Sequence, residues 1–271
     1  MTKFQGDRNE LMGALCRIAV QAGAAIMDHY ATDIVVNEKD DKTPVTAADQ
    51  DAEDIILPAL ALAAPGIPIV SEEATAAGSK PEVGPAFFLV DPLDGTREFI
   101  NKNGEFTVNI ALIEDGIPTM GVVYAPAKNR MFYSAGSGKA YEQDIEPNAT
   151  GSLDTATKPA LLAVRKADPK GMIAVASRSH RDHKTDEYLE MYNIKDFLTA
   201  GSSLKFCLIA AGEADIYPRH GRTMEWDTAA GHAVLSGAGG RVDEMDGTPL
   251  KYGKLERGLD NPYFVAKGGI G

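Results

Sequence analysis

Cysteine and tryptophan are scarce in this chain, with two of the first and one of the second in 271 residues. Two thiols cannot staple a disulfide framework. Cys16 and Cys207 each fall in an apolar helical pattern with no zinc-site neighbours, so each reads as core packing in a reducing compartment. Basic residues are also short, with 27 Lys and Arg against 39 Asp and Glu and a formal net charge of −12. That balance argues against binding a nucleic acid polymer, which needs a basic face to displace counterions. A small phosphorylated ligand is still allowed, because bound metal ions and a few placed cations outweigh a diffuse acidic field locally. No apolar run approaches the length of a transmembrane segment, and the start Met1-Thr2-Lys3-Phe4-Gln5-Gly6-Asp7 lacks the apolar core of a signal peptide. These absences read as a cytoplasmic protein. Peripheral membrane association is left open, although no basic amphipathic helix supports it. Nothing in the sequence chooses between a monomer and a homodimer.

What is present suffices for a sizeable core: 44% of the residues are hydrophobic, enough for one large domain or two lobes. Leu11, Leu15, Ile18, Ala22 and Ile26 recur at helical spacing and predict a first helix of about five turns. A second helix is expected from Thr46, with Ala48, Ala52, Ile55 and Ala59 on its buried face and Pro58 kinking or ending it. Strands are expected near 68–71, 86–91, 106–114, 119–124 and 130–134. The turn signals Asp115-Gly116 and Pro126 make the last three an antiparallel meander. The polar stretch 142–170 marks a boundary between an α+β N-terminal lobe, 1–155, and an α/β C-terminal lobe, 156–271. In the second lobe, a strand at 172–177, helices near 185–192 and 203–211, a strand at 214–217 and a helix at 226–236 alternate as α/β units do. Gly237-Ala238-Gly239-Gly240 follows a helix and precedes a strand, the order of a helix C-terminus and not of a nucleotide loop.

The most informative segment is Asp91-Pro92-Leu93-Asp94-Gly95-Thr96, at the end of the apolar strand Ala86-Phe87-Phe88-Leu89-Val90. Pro92 fixes one backbone angle and Gly95 permits close approach, so two carboxylates and the amides of Gly95 and Thr96 can converge on one point. Carboxylates recruit hard cations and free amides recruit phosphate. Other acids invite the same reading and each has a purely structural alternative. Asp49, three residues after Thr46, could close a capping box. Glu72 and Glu73 could be a solvated loop pair. Asp227, beside the only tryptophan, could complement a helix dipole. Taken together, acids at several strand ends and helix starts suggest a cluster. Two carboxylates 4 Å apart repel by roughly 4 kcal/mol at an effective dielectric near 20, so the cluster stays ionised only with cations present. Oxygen-only ligands favour magnesium or manganese over zinc.

Four motifs carry a resemblance over nearly the full length: Val45-Thr46-Ala47-Ala48-Asp49, Ser71-Glu72-Glu73, the Asp91–Thr96 segment, and Trp226-Asp227-Thr228-Ala229-Ala230-Gly231. In this order they resemble the inositol monophosphatase superfamily of lithium-sensitive, magnesium-dependent phosphomonoesterases. The stretches from Gly95 to Asn109, Ala176 to Arg181, Gly201 to Cys207 and Tyr217-Pro218-Arg219 are similar to its CysQ-type 3'(2'),5'-bisphosphate nucleotidase branch, linked to sulfur metabolism. The resemblance implies a layered α-β-α-β-α sandwich and hydrolysis of adenosine 3',5'-bisphosphate to AMP and phosphate.

It also implies roles. Glu72, Asp91 and the Leu93 carbonyl would hold one Mg²⁺, and Asp91, Asp94 and Asp227 a second, with Mn²⁺ as a substitute and a third, weaker ion through Glu72. Asp49 with Thr96 would activate the attacking water. Gly95 and Thr96 would cradle the scissile phosphate, while Ser177, His180, Gly201 and Lys205 would contact the nucleotide. The roles of Arg178 and Arg219 stay open. Taken locally, Ser177 to His180 is a strand end entering a polar loop and Lys205 a solvated helix residue. Two rivals remain: an inositol or fructose bisphosphate phosphatase on the same metal core, and a catalytically silent nucleotide-binding sensor.

Overall fold

The structure is a computed structural model and describes residues 3–32, 34, 36–38, 44–79, 83–155, 157–177 and 183–270. The chain opens with α1 (Arg8–Tyr30), the antiparallel pair β1 (Val36–Glu38) and β2 (Pro44–Thr46), and α2 (Ala47–Ala63). There follow β3 (Ile69–Ser71), α3 (Glu72–Ala76), β4 (Ala86–Asp94), α4 (Thr96–Ile100), β5 (Thr107–Glu114), β6 (Ile117–Ala125), β7 (Arg130–Ser134), β8 (Ala140–Asp144) and β9 (Ala160–Leu161). Strands β3 to β9 form one seven-stranded sheet in sequence order, antiparallel except for the β3–β4 pair. The remaining elements are β10 (Met172–Ser177), α5 (His183–Leu189), β11 (Ile194–Ala200), α6 (Leu204–Ala210), β12 (Ile216–Arg219), α7 (Glu225–Gly237), β13 (Arg241–Glu244) and β14 (Phe264–Lys267). Their five strands make a second sheet in the order β11-β10-β12-β14-β13.

Side-chain alternation fixes the layers. In β4, Phe88 and Val90 point toward α1 and α2 while Phe87 and Leu89 point toward α6 and α7. In β5, Ile110 and Leu112 face one way and Ala111 and Ile113 the other. Both strands are apolar on both faces because helices cover both, which is why β4 reads as an unbroken apolar run. The inner helices α6 and α7 also meet the second sheet through Phe206, Tyr217 and Phe264. On that sheet's far face Leu189 of α5 packs with Met172, Ile216 and Val265. The architecture is therefore the five-layered α-β-α-β-α sandwich.

Helix α1 has 23 residues and is the one described helix long and apolar enough, by length and composition, to cross a membrane. The sequence reading saw no such segment. Its apolar stripe, Leu11, Leu15, Ile18, Ala22 and Ile26, is buried in the core, as its spacing predicts. In α2 the buried stripe is Ala48, Ala52, Ile56 and Leu60, while Ile55 and Ala59 are only partly covered. The expected face was correct at its start and slipped by one residue beyond Ala52. Pro58 sits inside α2 without ending it. Its ring is exposed, and the Asp54 carbonyl that loses its intrahelical donor belongs to an exposed residue, where water can replace the bond.

The strand expected at 214–217 begins two residues later, at Ile216, just after the Asp215 carboxylate, which accepts from Arg165 at 2.6–2.8 Å and from the Ile173 amide at 2.7 Å. Strands β1, β2, β8, β9, β11 and β14 were not expected, whereas β13 is the strand that the glycine cluster precedes. β8 and β9 extend the first sheet through part of the polar stretch 142–170. α7 ends at Gly237, and Gly239 has φ +92°, so the glycine cluster is a helix C-terminus.

Replacing Pro58 with Ala restores a backbone donor and is expected to stabilise the fold by about 1–3 kcal/mol. Thermal denaturation checks it, and an unchanged or lower midpoint contradicts the exposed-proline account.

Candidate active site

Three segment ends deliver the acids. Strand β3 passes directly into α3, whose first residue is Glu72. Parallel to it, β4 carries Asp91 opposite Asn109, then breaks register so that Asp94 falls opposite Thr107. Helix α7, inserted between the sheets, presents Asp227 in its first turn. Carboxylate oxygens of Glu72, Asp91 and Asp227 all lie within 4.8 Å of one another. Burial, with the charges of Asp94 and Glu72 alongside, holds the Asp227 carboxyl well above the usual carboxylate range. The donor set is hard oxygen with no thiolate or imidazole, and its mutual repulsion is relieved by a divalent cation. The residues therefore fit Mg²⁺ or Mn²⁺.

Asp94 stands apart from that trio but lines the same cavity. Its carboxyl is raised by burial, against the pull of Lys205 and of its hydrogen bonds. Those bonds all fall on Oδ2: Asn109 Nδ2 donates at 3.1 Å, Ser202 Oγ at 2.6 Å and the Ser203 amide at 2.8 Å.

Asp49 closes the capping box of its structural reading and also meets Thr96. Its Oδ2 accepts from the Thr46 amide and hydroxyl, each at 2.8 Å, closing the start of α2. Its Oδ1 accepts from Thr96 Oγ1 at 3.3 Å. Asp49 is itself buried and lies behind Thr96, which lines the cavity. Asp227 repeats the pattern: Oδ2 accepts from the Met224 amide at 2.8 Å. Gly95, at φ +92° ahead of α4, supplies the left-handed turn between Asp94 and Thr96.

The far wall of this cavity of about 240 Å³ comes from the turn before α6, from α6 itself and from β12. Gly201 packs so closely that a Cβ would lie 2.6 Å from the Glu105 carbonyl oxygen, and its amide donates to Glu105 Oε2 at 3.0 Å. Lys205 is a buried wall residue and not a solvated one, with its Nζ donating to the Ser202 carbonyl at 2.5 Å and lying 5.5 Å over the Tyr217 ring. Burial lowers its pKa to about 8 despite the pull of Asp94. Arg219 is also buried on this wall, with Nη2 donating to the Arg222 carbonyl at 3.2 Å. Ser177 ends β10, paired with Ala200 of β11. Arg178 and His180 lie outside the described residues.

Among the expected residues, Glu72, Asp91, Leu93, Asp94, Gly95, Thr96, Gly201, Lys205 and Asp227 line one cavity. Sequence reasoning gave no role to Asn109, Ser202 or Ser203, which hold Asp94, nor to Tyr217 under Lys205. Their polar side chains have no local signature, because their partner is a carboxylate brought from another part of the chain.

A model of the inositol monophosphatase family matches residues 7–267. The chain is 45% identical over 256 residues to the 3'(2'),5'-bisphosphate nucleotidase CysQ of Shigella flexneri, covering 94% of this chain and 98% of that protein. Identity to CysQ of Escherichia coli strain K12 is 44% over the same length. Among solved structures, CysQ from Bacteroides thetaiotaomicron, described as a bacterial member of the inositol monophosphatase family, superposes with a TM-score of 0.78. It is 35% identical, over 97% of this chain and 98% of that one. The Thermotoga maritima inositol monophosphatase shares the fold, with a TM-score of 0.73 at 23% identity over 94% and 91% of the two chains. A family match over nearly the whole chain, with the acids of its motifs gathered around one cavity, establishes that this chain belongs to the inositol monophosphatase family.

Proposed function

We propose that this chain is a 3'(2'),5'-bisphosphate nucleotidase, a magnesium-dependent phosphomonoesterase converting adenosine 3',5'-bisphosphate to AMP and phosphate. The observation that carries this reading is a single cavity with Glu72, Asp91 and Asp227 clustered in it and the buried cations Lys205 and Arg219 on its second-lobe wall. A ligand with two separated phosphates suits such a cavity, one phosphate at the cluster and one at the cations. The name carried by relatives at 44–45% identity supports the same substrate class. We place the enzyme in the cytoplasm, where the buried thiols Cys16 and Cys207 stay reduced.

Glu72, Asp91, Asp94 and Asp227, with the Leu93 carbonyl, would hold two ions, and Glu72 a third and weaker one. When bound, divalent cations supply positive charge to the phosphoryl oxygens and lower the pKa of water. The chain's own groups do the rest. Asp49 Oδ2 is occupied by Thr46, which leaves Oδ1 as the acceptor for the Thr96 hydroxyl. Thr96 stands between cavity and carboxylate, so a proton leaving the attacking water passes to Thr96 as Thr96 gives its own to Asp49. The Gly95 and Thr96 amides orient the scissile phosphate. Lys205 and Arg219 bind the distal phosphate and fix the nucleotide's position, with Ser177, His180 and Gly201 as its further contacts.

The test is phosphate release from adenosine 3',5'-bisphosphate, inositol 1-phosphate and fructose 1,6-bisphosphate, each with magnesium and with chelator. Magnesium-dependent preference for the nucleotide is expected, and preference for a sugar or inositol phosphate overturns the reading. Asp91→Asn and Asp227→Asn are expected to lose more than about 10²-fold in turnover. In Asp227 the folded-state carboxyl holds its proton more tightly than the unfolded one. The cation-free protein therefore loses stability as pH rises from the usual carboxylate range through the raised value. Asp227→Asn removes that loss, so its melting temperature in chelator at pH 7 should exceed wild type. A lower one contradicts the charge-frustrated site.

Lys205 gives the second pH dependence. Above about 8 its ammonium is lost. The KM for the bisphosphate should then rise about tenfold per pH unit. Lys205→Arg should flatten that rise, and a wild-type KM independent of pH between 7 and 10 would exclude Lys205 as the phosphate cation.

A further inference from the structure

Ser202 occupies an unusual position. Its φ is +54°, a left-handed conformation that glycine adopts without strain and serine does not. A hydroxyl kept at such a point suggests that the hydroxyl is needed. Ser202 Oγ lies 2.6 Å from Asp94 Oδ2 and 2.6 Å from Thr107 Oγ1. A hydroxyl has one proton, and the charge-assisted bond to the carboxylate takes it, so Ser202 donates to Asp94, while Thr107 has a single proton for Ser202 Oγ and for Asn109 Oδ1, 3.0 Å away. Two of the three donors on Asp94 Oδ2, Ser202 Oγ and the Ser203 amide, come from the second lobe. The third, Asn109 Nδ2, also donates to Ser203 Oγ at 3.0 Å. Ser203 Oγ in turn donates to the Asp227 carbonyl at 2.6 Å. Lys205 Nζ closes the turn from the nucleotide side by donating to the Ser202 carbonyl.

The geometry points to Ser202 as a positioning residue for the cation site: it pins Asp94 Oδ2 from across the lobe boundary, leaving Oδ1 as the ligand oxygen. The inference rests on the reading of the cavity as a divalent-cation site. In this arrangement the turn 201–203 joins Asp94 to Lys205, and Asp94 has its full set of donors only when this turn is docked against β4 and β5. Three donors filling one oxygen prevent the carboxylate from rotating or turning bidentate, which sets the geometry that its cation sees.

Ser202→Gly tests this, because glycine suits the backbone at φ +54° and removes the hydroxymethyl side chain. Binding of Mn²⁺, read from the electron paramagnetic resonance of the free ion, is measured without substrate on the full chain. Quenching of the single tryptophan, Trp226, next to Asp227, serves as a second readout. Ser202→Gly is expected to raise the Mn²⁺ dissociation constant about 10- to 100-fold. Thr107→Val, which leaves the 201–203 turn intact and unseats the hydroxyl from behind, should move it the same way by less. Wild-type affinity in both variants, with the wild type binding Mn²⁺ and releasing phosphate from the bisphosphate, overturns the positioning role alone. No Mn²⁺ binding by the wild type overturns the cation site and this inference with it. Thermal melts in chelator confirm that each variant is folded.

Discussion

Carboxylates repel, and this structure is organised around keeping a group of them facing one small volume. Glu72, Asp91 and Asp227 bring oxygens within 4.8 Å of one another, and Asp94 adds its charge nearby. Each such pair costs about 4 kcal/mol at 4 Å if the effective dielectric is near 20. Backbone donors and hydroxyls hold the group in place, and each carboxylate has two oxygens with which to meet opposing demands. Asp49 gives Oδ2 to the start of α2 and Oδ1 to Thr96, and Asp227 gives Oδ2 to the start of α7. Asp94 gives Oδ2 to three donors. Fold and chemistry thus draw on different atoms of the same side chains.

The layered sandwich follows from what this requires of the scaffold. β4 must be rigid enough to aim Asp91 and Asp94, and it is buried on both faces between α1 and α2 on one side and α6 and α7 on the other. α7 must reach between the sheets to deliver Asp227, and its small residues Ala229, Ala230 and Ala233 let it lie against β6. The cationic wall, Lys205 and Arg219, comes from α6 and β12, so the cavity is complete only where these meet the ends of β3 and β4. Beside the apolar packing of α6 and α7 on the first sheet, polar contacts surround the cavity: Gly201 with Glu105, Ser202 with Thr107 and Asp94, Ser203 with Asn109.

Local chemistry made much of this legible in the sequence. A capping residue, an apolar strand and an Asp-Pro-Leu-Asp-Gly turn are short-range signals, and they located the ends from which the acids project. The capping reading of Asp49 was argued for the whole side chain, whereas the structure spends one oxygen on the cap and turns the other to Thr96. Ile55 and Ala59 were placed on the buried face of α2 from their spacing, and the packing of Ile56 and Leu60 decided otherwise. β11 could not be read, since it is an edge strand with mostly exposed side chains and no alternation. Nor could Asn109 and Ser202, whose roles exist only after residues 94 and 202 are brought together.

A crystal structure with Mn²⁺ and AMP, using the anomalous signal of the metal, tests the account most directly. Anomalous peaks bounded by Glu72, Asp91, Asp94 Oδ1 and Asp227, with the AMP phosphate on Lys205 and Arg219, are the predicted result. Peaks elsewhere, or a ligating Asp94 Oδ2 freed from Ser202, would contradict it.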